Sequence, residues 1–180
     1  MRVSLFLSLA ALAVLINPAA AQWAAWDYEF DEEKKSWKEI EAKMPPYPQS
    51  RNLLHLVSGA SLNRFYIDTE SVSLGEDGVM RYTAVVRTAG GASNVSFEGI
   101  RCDTREHKVY ALGRSDGSWV RARDTKWKYI ELRDIAPYHH MLWREYFCVS
   151  RRQPATVRQA IDALKRSSVH DVSSEGRTRP

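Results

Sequence analysis

The stretch VMRYTAVVRTAGGASNVSFEGIRC, residues Val79 to Cys102, reads as a β-hairpin that ends in a cysteine. From Val79 to Arg87, Met80, Tyr82, Ala84 and Val86 share one parity while Arg81, Thr83 and Arg87 take the other. That is the period of two expected of a strand with one core face and one wet face. Ala89-Gly90-Gly91-Ala92-Ser93 supplies the turn. On the return strand from Asn94, Val95 and Phe97 share a parity that Ile100 and Cys102 break. Glycine inside a strand marks bulges, and a bulge at Glu98-Gly99 would bring Val95, Phe97, Ile100 and Cys102 onto one apolar face, with Cys102 pointing into the core. Arg81, Arg87, Glu98 and Arg101 are then left on or near the opposite face, as a mainly solvated charge ladder.

The chain around this hairpin carries an export address. Met1-Arg2, the apolar run Val3 to Ile16 and the small residues up to Ala21 have the charged start, short apolar centre and small-residue end of a secretory signal peptide, residues 1–21, with cleavage expected after Ala21. No later segment approaches the roughly 18 apolar residues of a membrane span, and no cysteine follows the signal to carry a lipid. Without Arg2 the basic side chains number 25 against 22 acidic, a net charge of +3. The basic residues are spread along the chain and alternate with acids, whereas a nucleic-acid binder concentrates them on a face or stripe, so no nucleic-acid partner is expected. Cys102 and Cys148 are the cysteines of the chain. In an exported protein two cysteines most simply form one disulfide. Closing a loop of about 47 residues stabilises the fold by about 4 kcal/mol on the chain-entropy argument.

Taken in order, residues 22–46 form an aromatic and charged N-terminal arm or helix, with Trp23, Trp26, Tyr28 and Phe30 first and Asp31 to Lys43 suited to a helix dipole, until Pro45-Pro46 ends it. A single domain, residues 47–166, follows. Leu53–Val57, Arg64–Asp68, Val72–Leu74, the hairpin, Lys108–Leu112, Ser118–Ala122 and Trp127–Ile130 read as short strands between turn signals such as Gly75-Glu76-Asp77-Gly78 and Ser115-Asp116-Gly117. Their spacing implies an antiparallel meander of about six strands and not βαβ units. Pro137 opens a helix to about Phe147, with Met141, Leu142, Cys148 and Val149 as its apolar side. Pro154 opens another, in which Val157, Ala160, Ile161 and Leu164 form an i, i+3, i+4, i+7 stripe. The expected class is α+β: the sheet, C-terminal helices packed on one face, and one disulfide pinning them. Residues 167–180 are polar and unpatterned and are expected to be a disordered tail.

The blocks FYIDTESVSLGEDGVMRYTAVV (65–86), NVSFEGIRC (94–102), KVYALGR (108–114), Trp119 with Trp127, and YFC (146–148) resemble the family of exported bacterial proteins named after a cryptic neisserial protein. The resemblance runs from about Glu29 to Cys148. It implies export and these boundaries, and implies no chemistry. A fainter similarity, limited to the FYID-x-x-SV pattern, the cysteine-bearing strand and a later helical cysteine, is to the surface-adhesin protein E type of domain. That likeness implies a six-stranded antiparallel sheet with a C-terminal helix tethered by a disulfide, and extracellular-matrix partners.

No spacing commits the chain to a reaction. His139 and His140 are adjacent and would point to different sides of a helix, and His55, His107 and His170 are scattered, so no metal and no cofactor are expected. Ser58-Gly59-Ala60-Ser61 lacks the nucleophile-elbow pattern. Asp68 with Glu70, or Glu98 beside Arg101, would serve acid–base work if buried, although such groups more often cap turns or pair with arginines. The place to look for a ligand is the wet face, where Arg81, Glu98 and Arg101 would favour an anionic or carboxylate-bearing molecule through the arginine forks. The expected function is a non-catalytic periplasmic module that binds a ligand or an envelope protein. The alternatives are an adhesin-like surface protein and a hydrolase with a site assembled in the tertiary structure.

Overall fold

The computed structural model describes residues 37–56, 61–131 and 137–175, with side chains to residue 166. The expected signal peptide and the aromatic half of the expected arm lie outside these residues. Among these residues seven strands form one antiparallel sheet: β1 (Leu53–Leu56), β2 (Arg64–Leu74), β3 (Val79–Arg87), β4 (Ser93–Arg101), β5 (Glu106–Gly113), β6 (Trp119–Arg121) and β7 (Lys128–Tyr129). Strands β1 to β6 are neighbours in chain order, and β7 pairs with β5 beyond the end of β6. The predicted strands at Arg64–Asp68 and Val72–Leu74 are one strand with a register shift inside it. From Asp68↔Thr83 to Ser73↔Arg81, β2 takes five steps where β3 takes two. Ser71 fills the gap, its Oγ donating to the Asp68 carbonyl at 2.7 Å and accepting the Thr83 N–H at 2.7 Å.

The predicted bulge in β4 is corrected. The β3/β4 ladder runs without a break from Val79↔Arg101 to Arg87↔Ser93. The extra residue belongs to β5, where Phe97↔Ala111 is followed by Glu98↔Val109 and Tyr110 is left between them. Tyr110 and Ala111 therefore pack in one cluster with Phe97, although they are adjacent in the chain. The mixed parity of β4 is real: Ile100 and Cys102 belong to the large core, while Phe97 lies in the smaller cluster on the other face. The physical reason is that both faces of the central strands are covered. Seven consecutive residues of β3, Val79 to Val85, are buried, which the expectation of one wet face excluded.

One face carries the helices. Helix α1 (Pro137–Met141) widens into a π-helical turn (Leu142–Phe147). After a short 3-10 turn, α2 (Val157–Glu175) follows. Leu142, Tyr146, Phe147 and Cys148 are buried with Met80, Tyr82, Ile100 and Cys102 of the sheet, and Ala160 and Leu164 of the α2 stripe join them. Val149, expected in that row, is 63% exposed. The π turn shifts the phase of the helix, and positive φ at Ser150 and Arg151 turns the chain outward. Cys102 and Cys148 form a disulfide with Cα atoms 5.1 Å apart, tying the end of β4 to the end of the helical turn. Helix α2 extends through Glu175, past the expected boundary at Ser167. No proline or glycine interrupts that run, and adding residues to an existing helix avoids the cost of a new nucleus.

Residues 38–49 have no regular structure and lie along the opposite face as a strap. The helix allowed for Asp31–Lys43 is thus absent over residues 38–43. The Ile40 N–H, the Ile40 carbonyl and the Pro45 carbonyl are met by the side chains of Asp77, Arg81 and Trp119 instead.

Candidate functional site

The helix side contains a buried polar node. Glu98 on β4 faces Tyr82 across the ladder and is 2% exposed. Its Oε2 accepts hydrogen bonds from Tyr82 Oη at 2.9 Å and His139 Nε2 at 2.8 Å, and its Oε1 from Tyr138 Oη at 2.7 Å and Ser96 Oγ at 2.5 Å. Because Pro137 starts α1, Tyr138 and His139 fall in its first turn and arrive together over the sheet. His107 of β5 stacks on His139 with ring centroids 3.9 Å apart. Burial alone would raise the Glu98 carboxyl, but the His139 charge and the bonds from His139, Ser96 and Tyr138 prevail and hold it at about 2. Burial and the Glu98 charge push the Tyr82 hydroxyl well up. A general acid needs a raised carboxyl and a general base needs a free lone pair facing substrate. Glu98, ionised and saturated with donors, is an anchor between helix and sheet.

The strap side is organised by Arg81, which is 5% exposed. Its guanidinium holds Asp77 through Nη1–Oδ1 at 3.0 Å and Nη2–Oδ2 at 2.6 Å, and Nη2 also donates to the Ile40 carbonyl at 2.9 Å. Asp77 Oδ2 in turn accepts the Ile40 N–H at 2.9 Å. A buried ion pair thus reads both polar groups of one strap residue. Burial raises Asp77, but the bond from Arg81 and its charge lower it further, below the usual carboxylate range. Further along, Lys108 Nζ meets Glu39 at 2.7 Å, Trp127 Nε1 donates to Glu39 at 3.3 Å, Trp119 Nε1 donates to the Pro45 carbonyl at 2.9 Å, and Tyr47 Oη donates to the Arg114 carbonyl at 2.8 Å. Apolar contact comes from Ala42, packed against the cluster of Phe97, Tyr110 and Ala111, and from the Tyr47 ring, 5.5 Å from that of Trp119.

Two clefts open beside the strap. One, of about 510 Å³, lies between residues 39–44 and Lys108, Tyr110, Arg121 and Thr125. The other, of about 440 Å³, lies where the strap runs into β1, lined by Pro46, Tyr47, Gln49, Arg51, Asn52, Asp68, Glu70 and Ser71. Asp68, at the register shift of β2, is 3% exposed. Its carboxylate accepts the Glu70 N–H at 3.2 Å, and burial holds it above the usual range.

The three residues proposed as one ligand site do not converge. Register puts Arg81 and Arg101 on the strap face and Glu98 on the helix face with Tyr82. The fork of Arg81 is filled by Asp77, a carboxylate of its own chain. Arg101 pairs with Asp103 at 3.2 Å and Glu106 at 3.3 Å and lies over the Trp127 ring. Sequence reasoning missed Asp77, Tyr82, Tyr138 and His139. Asp77 stands inside a turn signal, Tyr82 reads as core, His139 reads as one of two adjacent imidazoles on different sides of a helix, and no pattern singles out Tyr138. Their meeting depends on the β3/β4 register and on where α1 crosses the sheet. Among the described residues no group of three or more His, Cys, Asp or Glu side chains is arranged to hold a metal ion.

These features define a class: an antiparallel sheet covered by disulfide-tethered helices on one side and by a polar strap on the other. The model of the CNP1-like family matches residues 32–165, from within the arm to α2, and the chain belongs to that family. No curated protein and no solved structure matches the chain.

Proposed function

We propose that the protein is a non-catalytic binding module that works in the oxidising envelope of its cell, most simply the periplasm. The observation that carries this reading is the Cys102–Cys148 bridge. Its two ends lie 46 residues apart and both are buried. Disulfides of this structural kind persist in exported proteins and are rare in the reducing cytosol. The basic, apolar and small-residue order of residues 1–21 supports the same compartment. Among the described residues no helix is long and apolar enough to cross a membrane. Binding is favoured over catalysis because the most elaborate titratable group, Glu98, is saturated internally, while the open clefts beside the strap carry polar side chains without a nucleophile–base pair.

The test is fractionation of cells that express the full chain, followed by non-reducing mass spectrometry of the recovered protein. The expected result is a chain beginning at Gln22 in the periplasmic fraction with the bridge intact. A cytoplasmic chain with residues 1–21 retained and free thiols would overturn the reading.

A further inference from the structure

We propose that the cleft between the strap and the β2 register shift is a binding site for a primary ammonium group on a small organic ligand, with Asp68 as its counter-ion. This deepens the binding reading above and rests on it only in taking the cleft as a ligand surface.

The argument starts from two polar groups that the fold buries without full satisfaction. The Asp68 carboxylate is buried, yet it lines a cleft of about 440 Å³. Among the described residues its hydrogen bonding consists of the Glu70 N–H, at the long end of the range. Directly opposite it in the β2/β3 ladder, and so on the same face, is Thr83, fully buried, whose Oγ1 has no hydrogen-bond partner among the described residues. A buried carboxylate with a single long hydrogen bond is costly, and one that a native structure keeps beside an open volume calls for a partner that donates. The raised affinity of the Asp68 carboxyl for a proton is the same cost expressed as chemistry.

What donates is constrained by the rest of the lining. Glu70 adds a second carboxylate, and Gln49 and Asn52 add side-chain amides whose oxygens can accept. An ammonium offers three donors and a full positive charge, enough to engage both acids and one neutral oxygen. Two carboxylates are fewer charged oxygens than a calcium site gathers. Pro46 and the Tyr47 ring provide apolar surface for a carbon skeleton, and the volume lies in the range of small-molecule pockets. Arg51 also lines the cleft, and among the described residues it forms no ion pair with Asp68 or Glu70. It disfavours a second positive charge, which selects a monoamine.

The experiment is a titration of the full mature chain, isotopically labelled for amide NMR, with n-butylammonium chloride, and in parallel with sodium butyrate and with calcium chloride. The expected result is a saturable response to butylammonium centred on the amides of Asn52, Glu70 and Ser71, and none to butyrate. Asp68→Asn keeps the shape and removes the charge, and should weaken binding roughly tenfold or more. Glu70→Gln, at an exposed position, should weaken it less and leaves the fold intact. A response that does not saturate, one that calcium reproduces, or one unchanged in both variants would overturn the site. Fractionation decides the export reading independently, so the two proposals fail separately.

Discussion

The two faces of the central strands are both covered, but by different physics. On the helix side, apolar side chains from β1 to β4, α1 and α2 form one continuous core, a disulfide closes it, and the buried acid Glu98 has four donors. On the strap side, a chain without regular structure is held mainly by side-chain clips: Asp77 and Arg81 on Ile40, Lys108 and Trp127 on Glu39, Trp119 on Pro45. Apolar burial scales with area and makes opening cooperative, whereas a few polar clips can be exchanged for water one at a time. The first face therefore carries global stability. The second can open locally without unfolding the domain, and both strap-side clefts, including the one around Asp68, lie on it.

The largest effect that would break this comparison is expected on the helix side. Replacing both cysteines, Cys102→Ala with Cys148→Ala, removes the closed loop and should cost about 4 kcal/mol, seen as a melting point lower by roughly ten degrees. An unchanged melting point in the double variant would mean that helical packing alone holds this face.

Acid should come next. Glu98 is held at about 2 in the folded chain against an ordinary value of 4.5, so its contribution is complete above the unfolded value and is lost as pH falls from about 4.5 to about 2. The size is about 3 kcal/mol by the linkage between pKa shift and free energy. Urea unfolding followed from neutral pH into this window should show a falling midpoint, and Glu98→Gln should flatten that slope. A slope that survives in the variant would assign acid sensitivity to Asp77 and the strap instead.

The smallest effect belongs to the strap. Arg81→Met deprives Asp77 and the Ile40 carbonyl of their donor. Because the strap can lift and let Asp77 regain water, the global cost should stay at about 1–2 kcal/mol. Hydrogen exchange should instead speed up at the Ile40 amide while the amides of β3 and β4 remain protected. Loss of protection in the whole sheet would show that the strap is part of the cooperative core and that the two faces do not differ as argued.

The reading of the chain was most accurate where a pattern is local. The hairpin at Gly90-Gly91, the meander, the α2 stripe of Val157, Ala160, Ile161 and Leu164, and the bridge between two lone cysteines all follow from spacing and residue chemistry over a few positions. It went wrong where a face was assigned. One wet side turns the mismatch between Phe97 and Ile100 into a bulge in β4, whereas both sides are packed and the bulge is at Tyr110. The same assumption gathered Arg81, Glu98 and Arg101 into one site that the register divides between two faces.

By itself, then, the sequence determined the strands, their antiparallel order, the helical stripe and the cross-link, because backbone periodicity and thiol chemistry act over short spans or need no geometry beyond pairing. Only the tertiary structure decided that Glu98 is saturated by Tyr82, Tyr138, His139 and Ser96, that Arg81 is filled by Asp77, and that Asp68 is buried beside an open cleft. Whether a charged side chain is free to act depends on which partners lie within about 3 Å of it, and those partners come from elements as far as 69 residues away in the chain.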